Sequence, residues 1–316
     1  MTEIQKQYVL TISCPDTVGI VAAVAGFLAG KDLFITDSAH FGDSQSGSFF
    51  MRTGFRGPPG MTSIEPLKRD FGAIAERFKM KWAIHDTDRK ARLLILVSKF
   101  DHCLNDLLYR YRTGSLPIDI PAVVSNHADL ERLVEWHGIP YHHLPVAKDK
   151  SDKAAQEARI IEMVERLHID LVVLARYMQV LSPEMCQALE WRAINIHHSF
   201  LPSFKGAKPY HQAYSRGVKI IGATAHYVTT DLDEGPIIEQ AVERVDHTHT
   251  PRHPGGHGPR YRERRAVAGR TLSRRTSGAD QWQQNRGLPL KCRPRSSTAR
   301  NSPPGSATAS PNRLPS

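Results

Sequence analysis

Apolar positions along the chain follow two rhythms, and the order in which they alternate divides it. "QYVLTISC" is strand-like and stops at "PDTVG", a turn in which Asp16 and Thr17 are candidate helix N-caps. "IVAAVAGFLAGKD" follows with helical spacing. "LFITDSAHF" and "SGSFFMRTGF" read as strands joined by "GDSQSG", whose residues suit a hairpin turn. "SIEPLKRDFGAIAERFKM" returns to helical spacing, and "KWAIHD" reads as a closing strand. The order to about Asp88 is therefore βαββαβ, which predicts a ferredoxin-like sandwich over residues 6–88.

After a polar linker, "TDRKAR", the rhythm changes. "LLILVSK", "IPAVVSN", "PYHHLPV", "IDLVVLARY" and "RAINIHH" are near-continuous apolar runs, and "DLERLVEWHG", "KAAQEARIIEMVERLH" and "SPEMCQALE" between them are helical. Such runs suit strands covered on both faces, so residues 89–250 are predicted to form a doubly wound, mostly parallel, Rossmann-like α/β domain. "VKIIGATAHYVTTDLDEGPIIEQAVERV" reads as two further strands around a polar turn carrying Asp231, Asp233 and Glu234.

Charge alters this picture in one place. The net charge is +10, yet residues 251–316 hold 14 Lys and Arg against 2 Asp and Glu, while residues 1–250 hold 28 against 30. The basic character belongs to the tail, so the folded part carries no electrostatic footprint for nucleic acid. The tail is rich in Arg, Pro, Gly and Ser and is expected to be disordered. No apolar stretch approaches the roughly 20 residues of a membrane span. "MTEIQKQYVL" lacks a signal-peptide pattern, so a cytoplasmic protein is expected. Cys14, Cys103, Cys186 and Cys292 are scattered and form neither a disulfide framework nor a zinc site. Cys103 is better read as a small buried hydrophobe than as a nucleophile.

The chemistry concentrates in "NIHHS", where a buried strand ends in an amide and two imidazoles. Ligands of doubly wound sheets sit at the carboxyl ends of the strands. Alternation puts Asn195 and His197 on one face, with Ile196 on the other. An amide beside an imidazole can hold a carbonyl oxygen and stabilise the charge that develops when water adds to it. A carboxylate is then needed to orient the imidazole or take the water's proton, and "DLDEGP" offers Asp233. His198 faces the opposite side and suits packing, while Asp231 and Glu234 suit a solvated turn. His142 and His143 follow a strand and border the cleft at most. His247, His249, His253 and His257 match no ordered metal spacing, so no metal is expected.

"NIHHSFLPSFKGAKPYHQAYSRG" followed by "IIGATAHYVTTDLDEGPII" resembles the formyltransferase family, whose members handle 10-formyltetrahydrofolate. That family's Asn-x-His and Leu-Asp-x-Gly-Pro motifs fall on Asn195, His197 and Asp233. The resemblance implies that "LARYMQVLSPEM" lines a pteridine pocket. Arg176, Tyr177, Met178, Val180, Leu181, His102, Lys205 and Gly206 are then substrate-binding residues, with the backbone of 176–181 and 228–233 reading the pterin edge. No separate cofactor is implied, because the folate is the substrate.

"TISCPDTVGIVAAVAGFLAGKDLFI" resembles an ACT module through Asp16, Gly19 and Ile20 at the first strand–helix junction. That pairing of modules points to the hydrolytic branch of the family, which releases formate for purine synthesis and balances the one-carbon folate pools. It also implies methionine or glycine as effectors and a homo-oligomer. Related glycinamide ribonucleotide transformylases cradle their acceptor's phosphate in a glycine-rich loop after the first strand. Here that stretch is "VSKFDHCLNDLL", with no glycine and with Phe100, Asp101 and His102 in place, so water is the expected acceptor rather than an amine. The intact Asn195, His197 and Asp233 argue against a non-catalytic sensor.

The family continues past residue 250 with two packed helices, and this sequence does not. Back-translated with degenerate codons and read one nucleotide further in, Arg252 to Glu263 ("RHPGGHGPRYRE") allows D/G-T/I-L-V-A-M-G-R-D-I-E. That is an apolar-patterned helical stretch resembling the family's own. Residues 251–316 are accordingly expected to be read out of frame.

Overall fold

The structure is a computed structural model that describes residues 6–58, 60–61, 63–147, 149, 151–197, 199–202 and 215–245. The expected tail, Cys292, His198, Lys205, Gly206 and the histidines from His247 onward lie outside the described residues.

The first unit runs β1 (Gln7–Pro15), α1 (Ile20–Ala29), β2 (Phe34–Asp43), β3 (Ser48–Arg56), α2 (Glu65–Arg77) and β4 (Lys81–Asp86). Its strands form an antiparallel sheet in the order β2-β3-β1-β4. Alternation along β1 sends Tyr8, Leu10, Ile12 and Cys14 into one core with Ile20, Val24 and Leu28 of α1 and Leu67, Phe71 and Ala75 of α2. The β2–β3 turn closes on Asp43: its carboxylate accepts from Gln45 N–H (3.1 Å) and Ser46 Oγ (2.8 Å), and its carbonyl from Gly47 N–H (2.8 Å). The N-cap of α1 is Gly19 rather than Asp16 or Thr17; its φ of 98° lies where a side chain would be strained, and no side-chain cap bond forms.

The second unit opens at β5 (Ala91–Val97), so the last two linker residues already belong to a strand. It continues with α3 (His102–Arg112), β6 (Ile118–Ser125), α4 (Glu131–Glu135), β7 (Tyr141–His143), α5 (Lys153–Arg166), β8 (Leu171–Leu174), α6 (Pro183–Ala188), β9 (Ala193–His197), β10 (Ile220–Tyr227) and β11 (Ile237–Arg244). The seven strands are ordered β11-β10-β9-β8-β5-β6-β7. All pairs from β9 to β7 are parallel, and β10 and β11 join antiparallel. The sheet is mostly parallel and mixed α/β, as the apolar runs predict.

Helix α3 takes up most of "VSKFDHCLNDLL", the stretch that the resemblance sets in the place of a loop. Cys103, Leu104, Leu107 and Leu108 nevertheless share one face and are buried. Together with α4 they pack on Leu93, Ile95 and Val97 of β5, while α5 and α6 pack on Leu94 and Leu96 from the other side. The helices change sides between β5 and β8, which makes that pair the switch point of the sheet, the place where doubly wound sheets bind ligands.

Candidate active site

Asn195 and His197 end the parallel strand β9, and antiparallel pairing sets them against His226 and Thr224 of β10. After Tyr227 the chain turns through 228–236 and returns as β11, and Tyr227 N–H donates to Pro236 O (2.9 Å) to close the turn. Asp233 sits on that turn at φ 58°, in the left-handed region that a non-glycine residue occupies only when its surroundings fix it. The turn is held by Thr229 Oγ1, which donates to Asp231 O (3.0 Å), and by Glu234 N–H on the same carbonyl (3.3 Å). Asp231 and Glu234 are exposed there, whereas the Asp233 side chain is only 6 % exposed.

The Asp233 carboxylate lies 3.2 Å from His197 Nδ1 and 3.7 Å from His226 Nε2. Burial alone would raise its pKa. The hydrogen bonds and charges of His197 and His226 outweigh burial and hold it well below the usual carboxylate range. Asp233 is therefore an ionised acceptor, and it fixes the Nδ1–H of His197.

His226 was not singled out by the sequence, yet it borders both other groups. Its Nδ1 donates to Tyr227 O (2.9 Å), and its Nε2 lies 3.3 Å from Asn195 Nδ2. Nε2 of His226 thus lies between the Asn195 amide and the Asp233 carboxylate. The signal in the sequence was an imidazole inside an otherwise apolar strand, "GATAHYV", at the end that meets Asn195. Thr224 pins the chain beyond β9: it donates to Ser199 O (2.8 Å) and accepts from Leu201 N–H (3.1 Å) and Gln240 Nε2 (3.1 Å).

The stretch between β8 and α6 holds five of the expected binding residues, and they divide. Tyr177 and Leu181 turn into the core, whereas Met178 and Val180 are 56 % and 54 % exposed. Arg176, at φ 67°, sets its guanidinium 5.3 Å from the Phe100 ring. His102 opens α3 with its ring 6.4 Å from Phe100. The loop after β5 contains no glycine, and its Phe100 leans on Arg176. Among the described residues, no group of three or more His, Cys, Asp or Glu side chains could hold a metal ion. Cys14, Cys103 and Cys186 are buried and form no disulfide among the described residues.

Residues 91–254 match the formyl transferase family, which defines the class of domain that carries this site. A formyltetrahydrofolate deformylase from Corynebacterium sp. (strain P-1) is 50 % identical over 247 residues, covering 78 % of this chain and 86 % of the relative. The chain belongs to the formyltetrahydrofolate deformylase family. The crystal structure of a formyltetrahydrofolate deformylase from Pseudomonas syringae pv. tomato superposes with a TM-score of 0.81 at 45 % identity, covering 88 % of this chain and 92 % of that one. Glycinamide ribonucleotide transformylase 1 from Symbiobacterium toebii superposes less fully, with a TM-score of 0.53 at 31 % identity over 60 % of this chain and 89 % of that one.

Proposed function

We propose that this protein hydrolyses 10-formyltetrahydrofolate to formate and tetrahydrofolate. The observation that carries the reading is the buried Asp233 carboxylate 3.2 Å from His197, with Asn195 on the same strand end. Water adds to the formyl carbon and the carbonyl oxygen takes up the charge. Asn195, through an amide N–H, and His197 hold that oxygen. Asp233 orients His197 and positions the water, whose proton passes to N10 of the folate. The carbon–nitrogen bond breaks, tetrahydrofolate leaves with that proton, and the carbon departs as formate with the water's second proton released to solvent. No cofactor enters these steps.

Lys205 and Gly206 belong to the same reading as substrate contacts, alongside the loop from Arg176 to Leu181 and His102. The N-terminal unit is read as a ferredoxin-like ACT module, on its βαββαβ order and its β2-β3-β1-β4 sheet. Methionine or glycine are its expected effectors and a homo-oligomer the expected assembly. Formate supply for purine synthesis and a cytoplasmic setting complete the proposal; no described helix is long and apolar enough to cross a membrane. Residues 251–316 are read as out of frame, supported by the end of the formyl transferase match at residue 254. Resequencing the codons for His249 to Glu263 decides between its two origins: a one-nucleotide correction makes the shift a sequencing error, and an unchanged reading places it in the gene itself.

The function itself is tested by supplying 10-formyltetrahydrofolate with no amine present. Equimolar formate and tetrahydrofolate are expected. Turnover that begins only when an amine acceptor is added would point to formyl transfer instead.

A further inference from the structure

A short chain of hydrogen bonds spans the strand ends at the switch point. Ser98 follows the last residue of β5 and is 2 % exposed; Asn126 follows β6 and is 8 % exposed. Met178 N–H donates to Ser98 Oγ (3.0 Å), and Ser98 Oγ–H donates to Asn126 Oδ1 (2.7 Å). The directions are fixed by the chemistry. A backbone N–H can only donate, so Ser98 must accept from Met178, and its single proton is left for Asn126. The bond from Ser98 to Met178 joins the lips of adjacent strands β5 and β8, where the covering helices change sides.

The anchored residue matters because its neighbours point elsewhere. Tyr177 is held inward by a bond from its hydroxyl to Gln156 Oε1 (3.3 Å), and Ser182 N–H donates to Glu157 Oε1 (3.0 Å). The loop is thus pinned to α5 at Tyr177 and Ser182, and to β5 at Met178. Between these anchors Met178 and Val180 stand out from the protein surface.

We infer that Ser98 and Asn126 are positioning residues for folate binding. They hold the Tyr177–Met178 peptide so that the loop meets a heteroaromatic ring already formed, and little ordering remains to be done on binding. The inference rests on the reading that 176–181 forms the ring pocket.

The test is calorimetric titration of the full chain with tetrahydrofolate, with kcat and KM measured alongside. Ser98→Ala is expected to weaken binding and raise KM about tenfold with kcat within twofold, the size of effect that follows from freeing one anchor of a binding loop. Ser98→Thr, which keeps the hydroxyl, restores binding. A role confined to stability would lower the melting temperature and leave the dissociation constant unchanged, which overturns the inference. Asn126→Leu against Asn126→Asp carries the same comparison if Ser98→Ala does not fold. Val180→Asp separates the two readings. If it weakens binding while Ser98→Ala does not, the pocket stands and the positioning role falls. If neither weakens binding, both fall.

Discussion

Gly235 lies two residues beyond Asp233, in the turn that carries the carboxylate to His197. A Cβ built on it would stand 1.7 Å from the Tyr227 carbonyl oxygen and 2.8 Å from the Tyr227 carbonyl carbon, both backbone atoms that cannot rotate away. Real Cβ contacts do not fall under 3.0 Å, so in Gly235→Ala the turn and β10 must part by at least about 1.3 Å. The Tyr227 N–H bond to Pro236 O, now 2.9 Å, lies directly at the point of separation. A shift of that size carries Asp233 Oδ1 from 3.2 Å to beyond hydrogen-bonding range of His197 Nδ1. Misplacing a reacting group by about 1 Å costs on the order of a hundredfold in rate, and overpacking costs about 1–3 kcal/mol of stability. Gly235→Ala is thus expected to fold with a lowered melting temperature and to release formate about two orders of magnitude more slowly. Formate release and a thermal melt measure both. A variant within twofold of the parent rate and with an unchanged melt would refute the reasoning.

Gly26 gives the opposite sign: it is exposed within α1 with nothing within 4 Å of an added Cβ, so Gly26→Ala is expected to gain about 1 kcal/mol in chemical denaturation. Burial pushes the Tyr177 hydroxyl up to about 12. A folded pKa above the unfolded value contributes stability that is complete below about pH 10 and lost as pH rises towards 12. Tyr177→Phe should flatten that alkaline loss in a series of melts, while costing roughly 1 kcal/mol at neutral pH for the bond to Gln156. Asp233 titrates the other way, since its folded pKa is depressed. Its contribution is present above the unfolded value of about 3.9 and is lost as pH falls through the folded one. The stability gap between the parent and Asp233→Asn should therefore be full at pH 6 and shrink below about pH 4; a gap that widens with acid would contradict this.

Much of this molecule could be read from the spacing of its apolar residues. Near-continuous runs such as "DLVVLA" mark strands covered on both faces, and alternation along β9 places Asn195 and His197 together. What escaped reading depended on partners distant in sequence. His226 meets Asn195 only through the antiparallel register of β10, which no local pattern encodes. Helix α3 buries Cys103, Leu104, Leu107 and Leu108, and that face packs on β5, a partner outside its own stretch. The stretch "RYMQVL" does not show which side chains turn inward, because it is neither helix nor strand; Gln156 and the core beneath α5 and α6 decide that Tyr177 and Leu181 do. The αL turn at Asp233 likewise depends on the close approach of Gly235 to Tyr227.

The most direct test of the account compares Asp233→Asn with the parent chain for formate release from 10-formyltetrahydrofolate, with folding of both checked by thermal melt. The Asn side chain keeps the shape but cannot pair as a charge with His197, so a folded variant slowed by about a thousandfold or more is predicted. A folded Asp233→Asn protein with near-normal turnover would place the chemistry elsewhere and contradict the account.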